Sequence, residues 1–193
     1  MFSATGLTAY AQATTYTVVK GDSLWKIAVK YEIGISELIK ANSQFANPSM
    51  IYVGQKVNIP SGDPLQSIEA EVIRLINIER TNKGLSALAT NWQVSRVARY
   101  KSQDMVNKNY FSHTSPTYGS PFNMMENFGI KFSAAGENIA YGQRTPKEVV
   151  TAWMNSPGHR ANILSASYTQ TGVGAAKKAD GTIYWTQEFI KPQ

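Results

Sequence analysis

The chain has 193 residues, of which 42% are hydrophobic, 11% aromatic and 17% charged, a balance that supports packed cores and excludes a disordered polyelectrolyte. Its 19 Lys and Arg against 13 Asp and Glu leave a net charge of +6, which favours anionic surfaces, but the basic residues are scattered, with Lys177-Lys178 the only adjacent pair, so nucleic acid is not an expected partner. The absence of cysteine excludes disulfide frameworks and thiolate metal sites, and no apolar run approaches the ~18 residues needed to cross a bilayer, so no transmembrane segment is expected.

Residues 1–15 read as a signal-peptide remnant or, alternatively, a disordered tail. Phe2 to Ala9 is mildly apolar and Ala11-Gln12-Ala13 has the small-x-small form of a cleavage site, although a basic leader is missing. Tyr16-Thr17-Val18-Val19 is β-branched and aromatic and predicts a short strand that stops at Lys20-Gly21-Asp22. Asp22 is the expected N-cap of a helix carrying Leu24, Ile27, Ala28 and Tyr31, with Gly34 ending it. Ser36 is expected to cap a second helix bearing Leu38, Ile39 and Ala41. Val53-Gly54-Gln55-Lys56 then leads to Val57-Asn58-Ile59, a second short strand closed by Pro60. The order is strand, helix, helix, strand within residues 16–60, near the lower size limit for an unaided core.

Ser61-Gly62-Asp63-Pro64 is a polar breaker and the expected linker, 61–64. Beyond it, Ile68, Val72, Leu75, Ile76 and Glu79 trace an amphipathic helix ending near Asn82-Lys83-Gly84, with Gly84 at the C′ position. Trp92 to Asn107 predicts another, with Val94, Val97, Ala98, Lys101 and Met105 along one side. Pro121 to Phe128 predicts a short helix, and Thr145-Pro146 starts one that runs through Trp153. Gln170 to Ala176 and Thr182 to Ile190 predict a hairpin around Asp180-Gly181. Helices followed by an antiparallel pair indicate an α+β domain over 65–193.

The segments Tyr16-Thr-Val-Val-Lys-Gly-Asp-Ser-Leu-Trp-Lys-Ile-Ala28, Ile35-Ser-Glu-Leu-Ile-Lys-Ala-Asn42 and Ile51-Tyr-Val-Gly-Gln-Lys-Val-Asn-Ile-Pro60 together resemble a LysM module over its full length. The resemblance implies a βααβ fold that binds N-acetylglucosamine-containing glycans, peptidoglycan or chitin-like polymers, in a shallow groove. Gly21, Asp22 and Ser23 would offer backbone groups to the acetamido function, and Met50 and Ile51 an apolar floor. Asp22 could equally serve only as a cap, and Leu24, Trp25 and Ile51 only as core. A single shallow site binds weakly, so firm retention would need several sugars or a second contact.

The two histidines, His113 and His159, both fall in the second domain, in turn-like polar contexts. Asn109-Tyr-Phe-Ser-His113, Gly136-Glu-Asn-Ile-Ala140 and Trp153-Met-Asn-Ser-Pro-Gly-His-Arg-Ala-Asn-Ile-Leu164 resemble the signature segments of the CAP (SCP/PR-1-like) superfamily in its bacterial form, as do Asn77-x-x-Arg80 and Tyr184-Trp-Thr-Gln-x-Phe189. The resemblance implies a three-layer α-β-α sandwich whose cleft holds His113, Glu137 and His159. The family's second glutamate would follow Trp153, where this sequence has Asn155-Ser156-Pro157. Two imidazoles and one carboxylate suit a divalent metal such as Zn, with His113 and His159 as ligands and Glu137 as a third. They suit equally an acid-base pair in which Glu137 orients a histidine, with Asn138 and Ser112 supplying supporting hydrogen bonds.

Three functions remain open on this reading. The first is a secreted, wall-bound protein of a Gram-positive bacterium or its spore surface, without turnover. The second is a hydrolase cutting peptide or glycan of the wall. The third is a structural coat component. No Ser-His-Asp order or HExxH motif is present, and only one carboxylate has a motif-based place in the cleft, whereas glycoside cleavage uses two.

Overall fold

The computed structural model describes residues 14–60 and 65–193. The expected cleavage motif and the linker 61–64 lie outside the described residues. The chain divides into two compact units, Met1–Asp63 and Pro64–Gln193.

In the first unit β1 (Thr14–Thr17), α1 (Leu24–Lys30), α2 (Ile35–Lys40) and β2 (Lys56–Ile59) follow in the expected order. Thr14 and Thr15, assigned above to the tail, open β1 and pair with Ile59 and Asn58 of antiparallel β2. Val18, Leu24, Ile27, Ala28, Leu38, Val57 and Ile59 form the core. Buried Asn42 fastens α2 to β2: its amide donates to the carbonyls of Leu38 and Asn58 at 2.8 and 2.7 Å and accepts from Asn58 N–H at 2.7 Å. The caps differ from expectation. Ser23 caps α1 by accepting from Lys26 N–H, because the Asp22 carboxylate is turned back to accept from Tyr16 Oη and Val19 N–H. Gly34 precedes α2 rather than ending α1, which stops at Tyr31, and Ser36 lies inside α2.

The second unit contains α3 (Gln66–Asn82), β3 (Ala89–Thr90), α4 (Trp92–Lys108), α5 (Pro121–Asn127), β4 (Phe132–Tyr141), α6 (Pro146–Asn155), α7 (Pro157–Ile163), β5 (Gln170–Lys177) and β6 (Ile183–Pro192). The sheet order is β3-β5-β6-β4, with β3 parallel to β5 and the other pairs antiparallel. Side-chain alternation sorts the strands into two faces. Val173, Ala175, Trp185 and Phe189 pack with α3, α6 and α7 through Val72, Ile76, Val150, Trp153 and Ile163. On the other face Ile190 packs with Val94 and Val97 of α4, and Ile139 and Tyr184 with Met105. The result is the expected three-layer α-β-α arrangement.

Three elements differ from expectation: β3, only two residues long, has no counterpart in the sequence reading. β4 was visible only as a motif around Glu137, and α7 occupies the stretch around His159 that reads as a turn. The hairpin is as expected, with Gly181 at φ 90°. So is the end of α3, where Gly84 takes φ 73° after the Lys83 cap.

The α4 layer lies directly on backbone. A Cβ on Gly172 would sit 2.1 Å from Ser95 N, and one on Gly174 2.0 Å from Arg99 N. Gly172→Ala or Gly174→Ala must therefore push α4 off the sheet and is expected to cost about 3 kcal/mol, read as a lowered urea midpoint by circular dichroism.

Candidate functional site

The loop that carries His113 is tied to α4 on both sides of the imidazole. Asp104 of α4 accepts from Tyr110 Oη at 2.8 Å, Ser115 Oγ at 2.7 Å and Thr117 Oγ1 at 2.6 Å. Burial works against the Asp104 charge, but those three donors hold its carboxyl below the usual range. One turn earlier on the helix, fully buried Lys101 donates its ammonium to the His113 carbonyl. His113 itself faces solvent, its side chain 55% exposed.

Glu137 meets it from β4. The buried carboxylate takes His113 Nδ1 at 2.6 Å through Oε1, so that Nδ1 carries the hydrogen when Glu137 is ionised and Nε2 is the exposed acceptor. Strand alternation explains the geometry: Glu137 and Ile139 point to the α4 face, whereas Asn138 points to the other. Asn138 donates to the His159 carbonyl at 3.2 Å, and Asn162 of α7 donates to the Glu137 carbonyl at 3.1 Å and to Asn138 Oδ1 at 2.9 Å. His159 thus rides on a helix pinned to the two residues of β4 that frame the site. Burial, and then repulsion from His113, lower its basicity.

A second glutamate is present, although not where the family pattern puts it. Glu188 of β6 is the cross-strand partner of Glu137 and is completely buried. Burial pushes its carboxyl well above the ordinary range, as does the facing Glu137 charge, against the pull of Lys101. The ammonium of Lys101 is itself depressed by burial and supported by Glu137, Glu188 and Asp104. Glu188 occupied the unspecified position of the Tyr184-Trp-Thr-Gln-x-Phe189 motif. The available signal is one charged residue in a run, Ile183 to Ile190, that is otherwise uncharged. The pair does not match the two carboxylates of a glycosidase, which stand about 5–9 Å apart across the substrate, because these two face one another from neighbouring strands in the interior.

Imidazole nitrogens suit a divalent cation, and His113 Nε2 is available for one. Glu137 is placed to support that ring from behind. Its Oε1 is engaged with His113 and its Oε2 is buried against Glu188. Among the described residues no three His, Cys, Asp or Glu side chains gather around one point. Ser112 accepts from Thr114 N–H and shapes the loop.

In the first unit, Gly21 (φ 91°) and Ser23 lie exposed in the β1–α1 loop, and the Gly21 carbonyl accepts from Lys26 Nζ at 2.7 Å. Met50 is exposed, while Ile51 packs partly against the core. The two loops join at their bases, where Val18 exchanges backbone bonds of 2.9 Å with Gly54 and Gln55. Trp25, read above as possible core, is instead 63% exposed, because it lies beside rather than on the buried stripe of Leu24, Ile27 and Ala28, and Tyr52 is 60% exposed.

Fold and site together define a CAP domain behind a LysM domain. The chain belongs to the Cysteine-rich secretory protein (CAP) family, whose model matches residues 73–189, and residues 16–60 match the LysM domain. It is 53% identical to Uncharacterized protein YkwD of Bacillus subtilis (strain 168) over 138 residues, 70% of this chain and 52% of that protein. The crystal structure of an extracellular protein containing a SCP domain from Bacillus anthracis str. Ames superposes with a TM-score of 0.62 at 34% identity, covering 72% of this chain and 47% of that one. SpoIVD-associated factor A of Bacillus subtilis is 50% identical over 46 residues, 24% of this chain and 12% of that protein. The chain thus spans about half the length of YkwD and of the Bacillus anthracis protein.

Asn162 is the residue on which the placement of α7 turns. Asn162→Ala leaves the Glu137 carbonyl and Asn138 Oδ1 without their donor and is expected to cost about 1–3 kcal/mol. Hydrogen exchange should show lost protection across α7, with α4 unchanged.

Proposed function

We propose that the protein acts outside the cell, held to N-acetylglucosamine-containing wall glycan, peptidoglycan above all, by its LysM domain, and presents the His113–Glu137 site of its CAP domain to a ligand there. The LysM match over residues 16–60 supports the tether. So does the exposure of Gly21, Ser23 and Met50 on two loops joined at their bases, with Asp22 fixing the first loop and Ile51 flooring the second. The extracellular Bacillus anthracis relative supports the location, and the stretch shared with SpoIVD-associated factor A makes a spore surface a second setting for the same tether. Net charge +6 adds attraction to an anionic wall.

The observation that carries the site assignment is the 2.6 Å contact between His113 Nδ1 and Glu137 Oε1. It fixes the orientation of the ring through Nδ1 and leaves Nε2 for a ligand. Zn or another divalent cation would be held by His113 and His159 with Glu137 in support, and would there act as a Lewis acid on a bound oxygen. The same contact favours a second reading, hydrolysis of wall peptide or glycan with His113 as general base.

The full chain is expected to sediment with purified peptidoglycan. Asp22→Ala/Met50→Ser, folded by circular dichroism, should weaken that binding by about tenfold or more, and Glu137→Gln should leave it unchanged. Undiminished binding by the double variant would contradict the tether. Release of soluble wall fragments that Glu137→Gln abolishes would establish the hydrolytic reading.

A further inference from the structure

Two exposed aromatic rings lie beside the imidazole site and take no part in it. Phe111, in the loop after α4, is 45% exposed, and Tyr141, the last residue of β4, 52%. Their rings meet with centroids 4.7 Å apart, tilted by 58°. Tyr184, the cross-strand neighbour of Tyr141 on β6, stacks on that ring at 5.5 Å and is itself buried. Because β4 is an edge of the sheet, a Tyr141 ring covered on its β6 side exposes the face turned to the open edge. Covering Tyr184 requires only apolar bulk, so two aromatic rings at the surface are more than packing demands.

The loop that carries Phe111 is held on both sides. Asn109 accepts from Lys178 Nζ at 2.9 Å, Tyr110 is fixed by its hydroxyl to Asp104 and by its N–H to the Met105 carbonyl, and the His113 carbonyl takes the Lys101 ammonium. A ring already ordered in this way loses little freedom on binding. Alternation puts Tyr141 on the same face of β4 as Glu137, about 13 Å along the strand, and Phe111 and His113 reach these two positions from a single loop. Rings and imidazole thus lie along one rim, with Ser112 exposed between them. Ser112 Oγ accepts from Thr114 N–H and keeps its own hydrogen to donate.

An aromatic face beside a hydroxyl donor fits a pyranose ring. In N-acetylglucosamine the axial positions are all hydrogens, so the flat side of the sugar presents C–H bonds to the negative face of an aromatic ring. Its rim of hydroxyls and acetamido group takes the polar contacts that fix orientation. A lipid chain fits worse, because the surface beside the rings is polar, with Ser112, His113 and Thr114 all exposed. We propose that Tyr141 and Phe111 form a sugar-stacking subsite of the CAP domain, which takes an N-acetylated pyranose of a peptidoglycan glycan strand and leads the strand toward His113. The inference rests on the reading that the LysM domain holds the protein on that glycan, and it supplies the second contact that one weak LysM site lacks. It holds whether the cleft turns the glycan over or only binds it.

The test follows the NMR spectrum of the full chain, isotope-labelled, as soluble peptide-free glycan fragments of peptidoglycan are added. Besides the LysM loops, the rings of Phe111 and Tyr141 and the amides from Tyr110 to His113 should shift. Tyr141→Leu and Phe111→Leu keep apolar cover over Tyr184 and each remove one flat ring. Folded by circular dichroism, each should lose the CAP-domain shifts, keep the LysM shifts and bind insoluble peptidoglycan about tenfold more weakly. Asp22→Ala/Met50→Ser should do the reverse, losing the LysM shifts and keeping those of the CAP domain. LysM shifts with none at Phe111 or Tyr141 would overturn the subsite and leave the tether standing, whereas CAP-domain shifts alone would contradict the tether and leave the subsite. A spectrum unmoved in both domains would contradict both. Rings that respond to phosphatidylglycerol vesicles and not to the glycan would overturn the subsite, as would unaltered wall binding by both leucine variants. If Tyr141→Leu does not fold, the wild type and Phe111→Leu decide.

Discussion

A buried ammonium among three buried carboxyls is the constraint around which the CAP domain is arranged. Lys101 is completely shielded from water, and an ionised group in that position is tolerable only with compensating charge close by. The compensation comes first from Glu137 of β4, with Asp104 of α4 itself nearby, while burial pushes the Glu188 carboxyl of β6 well above the ordinary range. The ammonium reaches them because α4 rests on Gly172 and Gly174, where any side chain would collide with helix backbone. Sheet glycines, helix position and site electrostatics are thus one requirement: raise the helix by the thickness of a methyl group and the cation parts from its counter-charges. The His113 carbonyl, bonded to the same ammonium, would go with it.

The other half of the site depends on how the sheet ends. β4 is an edge strand, and its outward carbonyls would be unpaired without help. Those of Ala135, Glu137 and Ile139 accept in turn from Tyr168 Oη at 3.2 Å, Asn162 Nδ2 at 3.1 Å and Trp153 Nε1 at 3.3 Å. These donors belong to α6, α7 and the segment following them, so satisfying the edge also carries His159 to the place where Glu137 emerges. Arg80 of α3 completes the fastening by donating to the carbonyls of Ile163 and Ser165, each at 2.7 Å. Gly136 has its own reason to lack a side chain, since a Cβ there would meet Tyr168 Oη at 2.6 Å. The segments that resemble family signatures are therefore largely the parts of this edge-capping arrangement.

Much of this was legible in the sequence, and the exceptions have physical causes. Long elements with clear periodicity, α3 and α4 above all, emerge directly, and Lys101 already stood in the apolar stripe of α4 among Val97, Ala98 and Met105. β4 did not emerge, because Gly136, Glu137 and Asn138 obscure an alternation that matters only when helices cover both faces. α7 was hidden by Pro157-Gly158, which reads as a turn although proline suits a first helical turn. Glu188 was passed over since its partner is fixed by strand register, a non-local property. The cap of α1 moved from Asp22 to Ser23 because Tyr16, six residues away in sequence, claims the aspartate.

The central claim is that the imidazole site and the buried charges beneath it form one coupled unit. A double-mutant cycle on the unfolding free energy, built from Lys101→Met and Glu137→Gln in the full chain, measures that coupling directly. The account predicts a departure from additivity of more than about 0.5 kcal/mol, in the range seen for groups sharing one network. Costs that simply add would show that the lysine and the glutamate are buried independently, and would contradict it.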